Sequence, residues 1–147
     1  MKIRQLSLFI ENKPGQLVAP CRRLADHGIN ILTLSLADTE KYGILRLVVD
    51  DWERAEQVLS ARGFVVNVAE VLAVEVADYP GGLADLLALL DEAGANIEYM
   101  YAFTFGRQDR AVLIFCFDKP DEAIERLQAA GINVIESVDI YSGGCAA

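Results

Sequence analysis

Apolar and polar residues alternate along "IRQLSLFI" at residues 3–10, the period-two signature of a half-buried strand. The period then lengthens. Leu17, Cys21, Leu24 and Ala25 recur at helical spacing and stop at Gly28, a natural C-terminal cap. "NILTLSLAD" and "YGILRLVVD" return to strand-like patterning and predict a hairpin turning near residues 38–42. Asp50, with Glu53 three residues on, has capping-box spacing and opens a second helix. That helix turns Trp52, Ala55 and Leu59 inward and closes at Gly63. "FVVNVAEV" is a last strand, so the order is β-α-β-β-α-β. Pro20 interrupts the pattern: within a regular helix it deletes a hydrogen bond and clashes one turn back. The first helix therefore starts near Leu17 or bends at Pro20.

The same order then repeats. At a shift of 66, residues 14–31 match 80–97 at Pro14/Pro80, Gly15/Gly81, Leu17/Leu83, Leu24/Leu90, Gly28/Gly94, Asn30/Asn96 and Ile31/Ile97. Seven identities in 18 positions exceed the roughly one in 15 expected from ordinary composition. Beyond residue 43 the shift becomes 68, and Leu45/Leu113, Asp50/Asp118, Ala55/Ala123, Leu59/Leu127, Ala61/Ala129 and Gly63/Gly131 match. The two extra residues fall near "DTEKYG" and "GRQDR", polar turns that tolerate insertion. In the second copy Lys119-Pro120 replaces the capping box and puts proline in the first helical turn.

Two β-α-β-β-α-β units with antiparallel pairing are an α+β, ferredoxin-like pair. The expected units are residues 1–71 and 72–147. One such unit of about 70 residues is marginal alone, and the junction "NVAEVLAVEV" has no Gly, Pro or Ser linker. The sheets are therefore expected to join side by side into about eight strands with helices on one face. The opposite, helix-free face would then be apolar and bare, which predicts a homodimer through it.

Composition narrows the chemistry. The chain has 147 residues, 53% hydrophobic, with a net charge of -9. Residues 1–71 carry 9 basic and 9 acidic side chains, and residues 72–147 carry 4 and 13. An acidic second half repels a phosphate backbone, so no nucleic-acid partner is expected, although Tyr99 and Tyr101 alternate on a strand as in RNA-binding sheets. No membrane span is expected either, for want of about 18 uncharged apolar residues. Cys21, Cys116 and Cys145 are odd in number and widely spaced, which fits a reducing, cytoplasmic setting. Cys21 and Cys116 read as core residues and Cys145 as an exposed tail thiol. His27, the one histidine, stands at a helix end and has no second ligand at metal-binding spacing. No nucleophile motif or phosphate loop is present. No catalytic residue, metal or cofactor is assigned.

The repeated turns, "ENKPGQL" and "ADYPGGL", remain. Each leads a strand into a helix N-terminus, where backbone N–H groups can donate to a carboxylate. Gly15, Gly81 and Gly82 let a ligand approach the backbone. Asn12 or Asp78 stands just before, able to accept from an ammonium group. Carboxylate plus ammonium describes a free amino acid. The turn alone has a plainer reading, in which proline and glycine only reverse the chain. Asn30 and Asn96, each following a G-x pair at a helix end, likewise divide between ligand and turn geometry.

"ENKPGQL…GINI" and "ADYPGGL…GANI", each in a β-α-β-β-α-β unit, resemble ACT domains, small amino-acid-binding regulatory modules attached to biosynthetic enzymes. The resemblance covers nearly the whole chain as two tandem copies. It implies a non-enzymatic regulator that binds an amino acid at the interface of two units and signals through assembly or a partner enzyme of amino-acid metabolism. It implies ligand contacts from Asn12 and Asn30, and by internal alignment from Asp78 and Asn96. The turn residues Pro14, Gly15, Gln16 and Leu17, with Gly81, Gly82 and Leu83, and the strand-opening Ile31 and Ile97 complete the set. Serine-binding members carry histidine two residues before the first asparagine. Ile10 and Val76 stand there, which points to a different or more apolar ligand side chain. Two rival classes are an interaction module without ligand and a small enzyme on a ferredoxin-like fold.

Overall fold

The computed structural model describes residues 1–38, 40–103 and 109–142. They form β1 (Lys2–Glu11), α1 (Val18–Asp26), β2 (Ile31–Asp38), β3 (Tyr42–Val49), α2 (Trp52–Ser60), β4 (Val66–Ala77), α3 (Gly82–Glu92), β5 (Ile97–Ala102), β6 (Arg110–Phe117), α4 (Pro120–Ala129) and α5 (Ser137–Tyr141). The chain divides into two units. The first is Arg4–Ala69; the second is Glu70–Ala147 together with Met1–Ile3.

In the first unit the strands lie in the order β2-β3-β1, antiparallel, with Leu8 opposite Leu45 and Leu36 opposite Leu45 on the other side. Alternation decides what is buried. Leu6, Leu8 and Ile10 of β1 join Leu45, Leu47 and Val49 of β3, and Leu24, Ala55 and Leu59 of the two helices complete the core. Each leucine fully withdrawn from water there contributes about 2 kcal/mol. The second unit repeats the plan as β4-β6-β5, with Leu72, Val74 and Val76 packed against Leu86, Leu90, Phe115 and Leu127. Phe115 and Phe117 stack at 5.7 Å.

Three expectations need correcting. Six strands are present among the described residues, not eight. The fourth and fifth merge, because "NVAEVLAVEV" has no residue that would break an extended chain, and β4 runs for 12 residues. The eighth shrinks to one bridge, Val74 to Val134, flanked by Glu75 N–H to the Asn133 carbonyl (3.1 Å) and Ile135 N–H to the Ala73 carbonyl (2.9 Å). The chain then coils into α5 and buries Ile140. Second, the cap of α2 is Asp51, whose carboxylate accepts from the Arg54 N–H at 3.1 Å. Asp50 instead accepts the Asn30 N–H at 3.0 Å. Adjacent aspartates compete for the cap, and the one at β3's end is held by the neighbouring strand. Third, Cys21, expected in the core, is only partly buried; Leu17 sits at the N-terminus of α1, 42% exposed.

The face expected to be bare is buried in part. Gln5, Val48, Val71, Ala73 and Ile114 alternate with the core positions of their strands, and all are 0% exposed in the single chain. Phe9, on the same face of β1 as Gln5, is 58% exposed. The proline in α4 is at the first helical position, as its fixed φ favours.

Candidate functional site

β1 ends at Glu11, and the Asn12 N–H donates to the Lys41 carbonyl at 3.0 Å, tying the first Pro-Gly turn to the β2–β3 hairpin. The Lys13 N–H reaches the Glu11 carbonyl (2.9 Å), and the Gln16 N–H reaches the Lys13 carbonyl (3.3 Å). Gly15 sits at φ 86°, a left-handed conformation that costs other residues. The helix does not begin at once. Pro20, buried, is the third residue of α1. Having no N–H, and clashing with a carbonyl four residues back, it is tolerated only in a helix's first turn. A helix opening at Gln16 would place Gln16's carbonyl against the Pro20 ring. So α1 waits until Val18.

That delay leaves a cavity of about 390 Å³ between the turn, the end of β1 and the β2–β3 hairpin. Pro14 and Gly15 line it with Asn12 and Lys13. Its apolar lining is Ile10, Leu17 and Leu36, with Gly43 beside them; Asp38 and Glu11 supply carboxylates. The Lys13 ammonium pairs with Glu11 at 2.6 Å. Leu17 gives the first turn of α1 no side-chain acceptor. The volume falls within the ~300–1,000 Å³ of small-molecule sites.

The second turn starts alike and ends differently. The Asp78 N–H donates to the Asp109 carbonyl at 2.7 Å, the counterpart of the Asn12 bond. Gly81 caps α3 at φ 99°. Leu86 stands where the first copy has Pro20, so nothing delays the helix, and α3 begins at Gly82, the position aligned with Gln16. Gly82 is buried, and a Cβ there would collide with the Ala77 carbonyl oxygen. Gly82 therefore serves close packing of the helix start on the end of β4. Leu83 is partly exposed beside it. Residues 104–108, in the β5–β6 connection that corresponds to the hairpin wall of the first cavity, lie outside the described residues.

Of the residues singled out from sequence, the structure brings Asn12, Pro14, Gly15 and Leu17 together around one cavity. Gln16 is in the turn but does not line it. Asn30 and Ile31 open β2, whereas the cavity touches its far end at Leu36 and Asp38. Five or more residues of strand separate them, about 17 Å or more. Asn30's carbonyl accepts the Asp50 N–H at 3.1 Å, and Asn96's carbonyl accepts the Asp118 N–H at 3.3 Å. Both asparagines thus hold the same backbone turn, and Ile31 and Ile97 pack against their own cores. Ile10, marked in the sequence as the place facing a more apolar ligand side chain, does line the cavity; sequence reasoning missed Leu36, Asp38 and Gly43. A glycine inside the apolar run "YGILRLVV" was the available signal, since strand glycines mark close approach.

The remaining reactive side chains are set in structural positions. His27 Nδ1 lies 2.9 Å from the Arg23 carbonyl at the end of α1. Burial pushes the Cys21 thiol up, which lowers its thiolate fraction. Cys116 is buried, its Sγ 3.5 Å from Glu98 Oε2. Cys145 lies outside the described residues. Among the described residues no group of three or more His, Cys, Asp or Glu is placed to hold a metal, and no helix is long and apolar enough to cross a membrane.

Comparison with known proteins adds an independent view. A family model described as an ACT domain pair matches residues 1–142. A crystal structure from Bacteroides thetaiotaomicron is similar at 34% identity and TM-score 0.89, over 96% of each chain. The regulatory subunit of aspartate kinase from Thermus thermophilus, in ligand-free form, shares the fold at 18% identity and TM-score 0.64, over 87% of this chain and 90% of that one. Its Thermus flavus counterpart gives 17% and 0.62, over 87% and 92%. No curated protein sequence matches the chain.

Proposed function

The chain belongs to the ACT domain pair family, and from that premise we propose that it is a regulatory protein, not an enzyme, that binds a free amino acid at the first Pro-Gly turn. The observation that carries this reading is the cavity of about 390 Å³ built from the turn itself. Its chemistry suits a zwitterion. Asp38 and the side-chain oxygen of Asn12 are acceptors for an ammonium group, and Lys13 is a cation for a carboxylate. The ammonium group then has acceptors of its own, and the carboxylate shares Lys13 with Glu11.

The second turn is proposed as the weaker site, because its helix start is packed onto Ala77. Binding is proposed to act through assembly, as a homodimer, or through a partner enzyme of amino-acid metabolism. Either route requires that the ligand favour one state over another, since equal affinity shifts nothing.

Thermal-shift measurement with each of the twenty L-amino acids tests the reading. A ligand at 100 times its Kd adds about 2.7 kcal/mol of stability. One or a few amino acids are expected to raise the midpoint, and Asn12→Ala to weaken the effect by about 1–3 kcal/mol of binding. No shift with any of the twenty would favour an interaction module without ligand. Light scattering with and without the active amino acid reads the assembly.

A further inference from the structure

The cavity's lining says more than "amino acid". Resting on the amino-acid reading above, we propose that it selects a branched aliphatic side chain, and that Leu36 with Gly43 sets the selection. Leu17 and Leu36 both line the cavity and are 42% and 47% exposed, while neither belongs to the core of its unit. Two large apolar side chains are thus held open to water where a ligand in the cavity would cover them. Ile10, which does belong to the core, carries the apolar lining inward.

The polar lining is taken up by the ligand's main chain. Asn12 and Asp38 face its ammonium group, and its carboxylate shares Lys13 with Glu11. What is left for the side chain is hydrocarbon. A hydroxyl or amide facing Ile10, Leu17 and Leu36 would give up water without a partner. An acidic side chain would meet Asp38, a like charge.

Gly43 fixes the size. A Cβ there would stand 3.1 Å from Leu36 Cδ1 and 3.4 Å from Ile10 Cγ1. Both neighbours line the cavity, so even one methyl group at residue 43 displaces its wall. Leu36 is on β2, with an exposed and therefore yielding side chain. It moves in preference to Ile10, and the space for a branched ligand changes with it.

Calorimetry on the full chain decides it, with L-leucine, L-valine, L-alanine, L-serine, L-aspartate and L-lysine as probes. L-leucine or L-valine is expected to bind at least about tenfold tighter than L-alanine or L-serine, the discrimination a few methyl groups give in an apolar pocket. Leu36→Ser is expected to cut that ratio severalfold with the thermal midpoint nearly unchanged, because the residue is exposed. Gly43→Ala is expected to lower leucine affinity more than alanine affinity. If L-serine, L-aspartate or L-lysine binds tightest, the aliphatic assignment is wrong while amino-acid binding stands. If leucine binds tightest but both variants keep the wild-type ratio, Leu36 and Gly43 do not set selection. If none of the six binds and no other amino acid shifts the midpoint, the proposed function itself falls, and this inference with it.

Discussion

The two Pro-Gly turns share their proline, first glycine and leucine, and a backbone bond to the neighbouring hairpin or strand end at 3.0 and 2.7 Å. They nevertheless make different objects. In the first, Pro20 keeps α1 from starting before Val18, and an open cavity results. In the second, Leu86 permits α3 to start at Gly82, flush against the Ala77 carbonyl. A repeated motif therefore conserves the path of the chain without conserving the space beside it. Residues four to six positions downstream decide whether that space exists.

The largest test exchanges the deciding residues. Leu86→Pro puts proline at the fifth position of α3, where it removes an N–H bond and clashes, at about 3 kcal/mol. It also deletes a buried leucine, about 2 kcal/mol more. Urea denaturation is expected to show a loss near 5 kcal/mol; a loss under about 1 kcal/mol would mean that position 86 does not control the helix start. The reciprocal Pro20→Ala is expected to let α1 extend toward Gln16 and to weaken ligand binding, read by calorimetry.

Next comes the glycine that only one turn needs. Gly82→Ala drives a Cβ into backbone, and the helix start must shift, at about 3 kcal/mol. Gln16→Ala, the aligned change on an exposed turn, is expected to stay within about 0.5 kcal/mol. Equal costs at the two positions would erase the contrast. Gly15→Val and Gly81→Val then separate strain from function. Neither Cβ would meet an atom within 4 Å, so each variant carries only the left-handed backbone penalty, about 1–2 kcal/mol. Stability is expected to fall alike in both, while binding at the first cavity is lost only in Gly15→Val. Unchanged binding in that variant would make the turn merely a turn.

The smallest test lies at the later helices. Asp51→Ala removes a side-chain cap and is expected to cost about 1 kcal/mol. Lys119→Ala, where no side-chain cap exists, is expected to cost close to none. Similar losses at the two would show that the cap in α2 is not what starts it.

Much of this protein was written in short-range chemistry. Strand alternation, the glycine caps, the proline at the start of α4 and the twofold repeat all depend on neighbours within a few residues, and all are legible in sequence. So was the restriction that Pro20 places on α1, which pointed to a start near Leu17. The strand count was not. Whether "NVAEVLAVEV" makes one strand or two depends on what its residues pair with, and pairing is a long-range event; it makes one, Val66–Ala77. The choice between Asp50 and Asp51 as cap turned on the Asn30 N–H, 20 residues away in sequence. The cavity is tertiary in the same sense. Its turn residues were visible as a motif, but Leu36, Asp38 and Gly43 reach it only because β2 and β3 fold back along β1, and no local pattern records which side chains a sheet will set beside a turn.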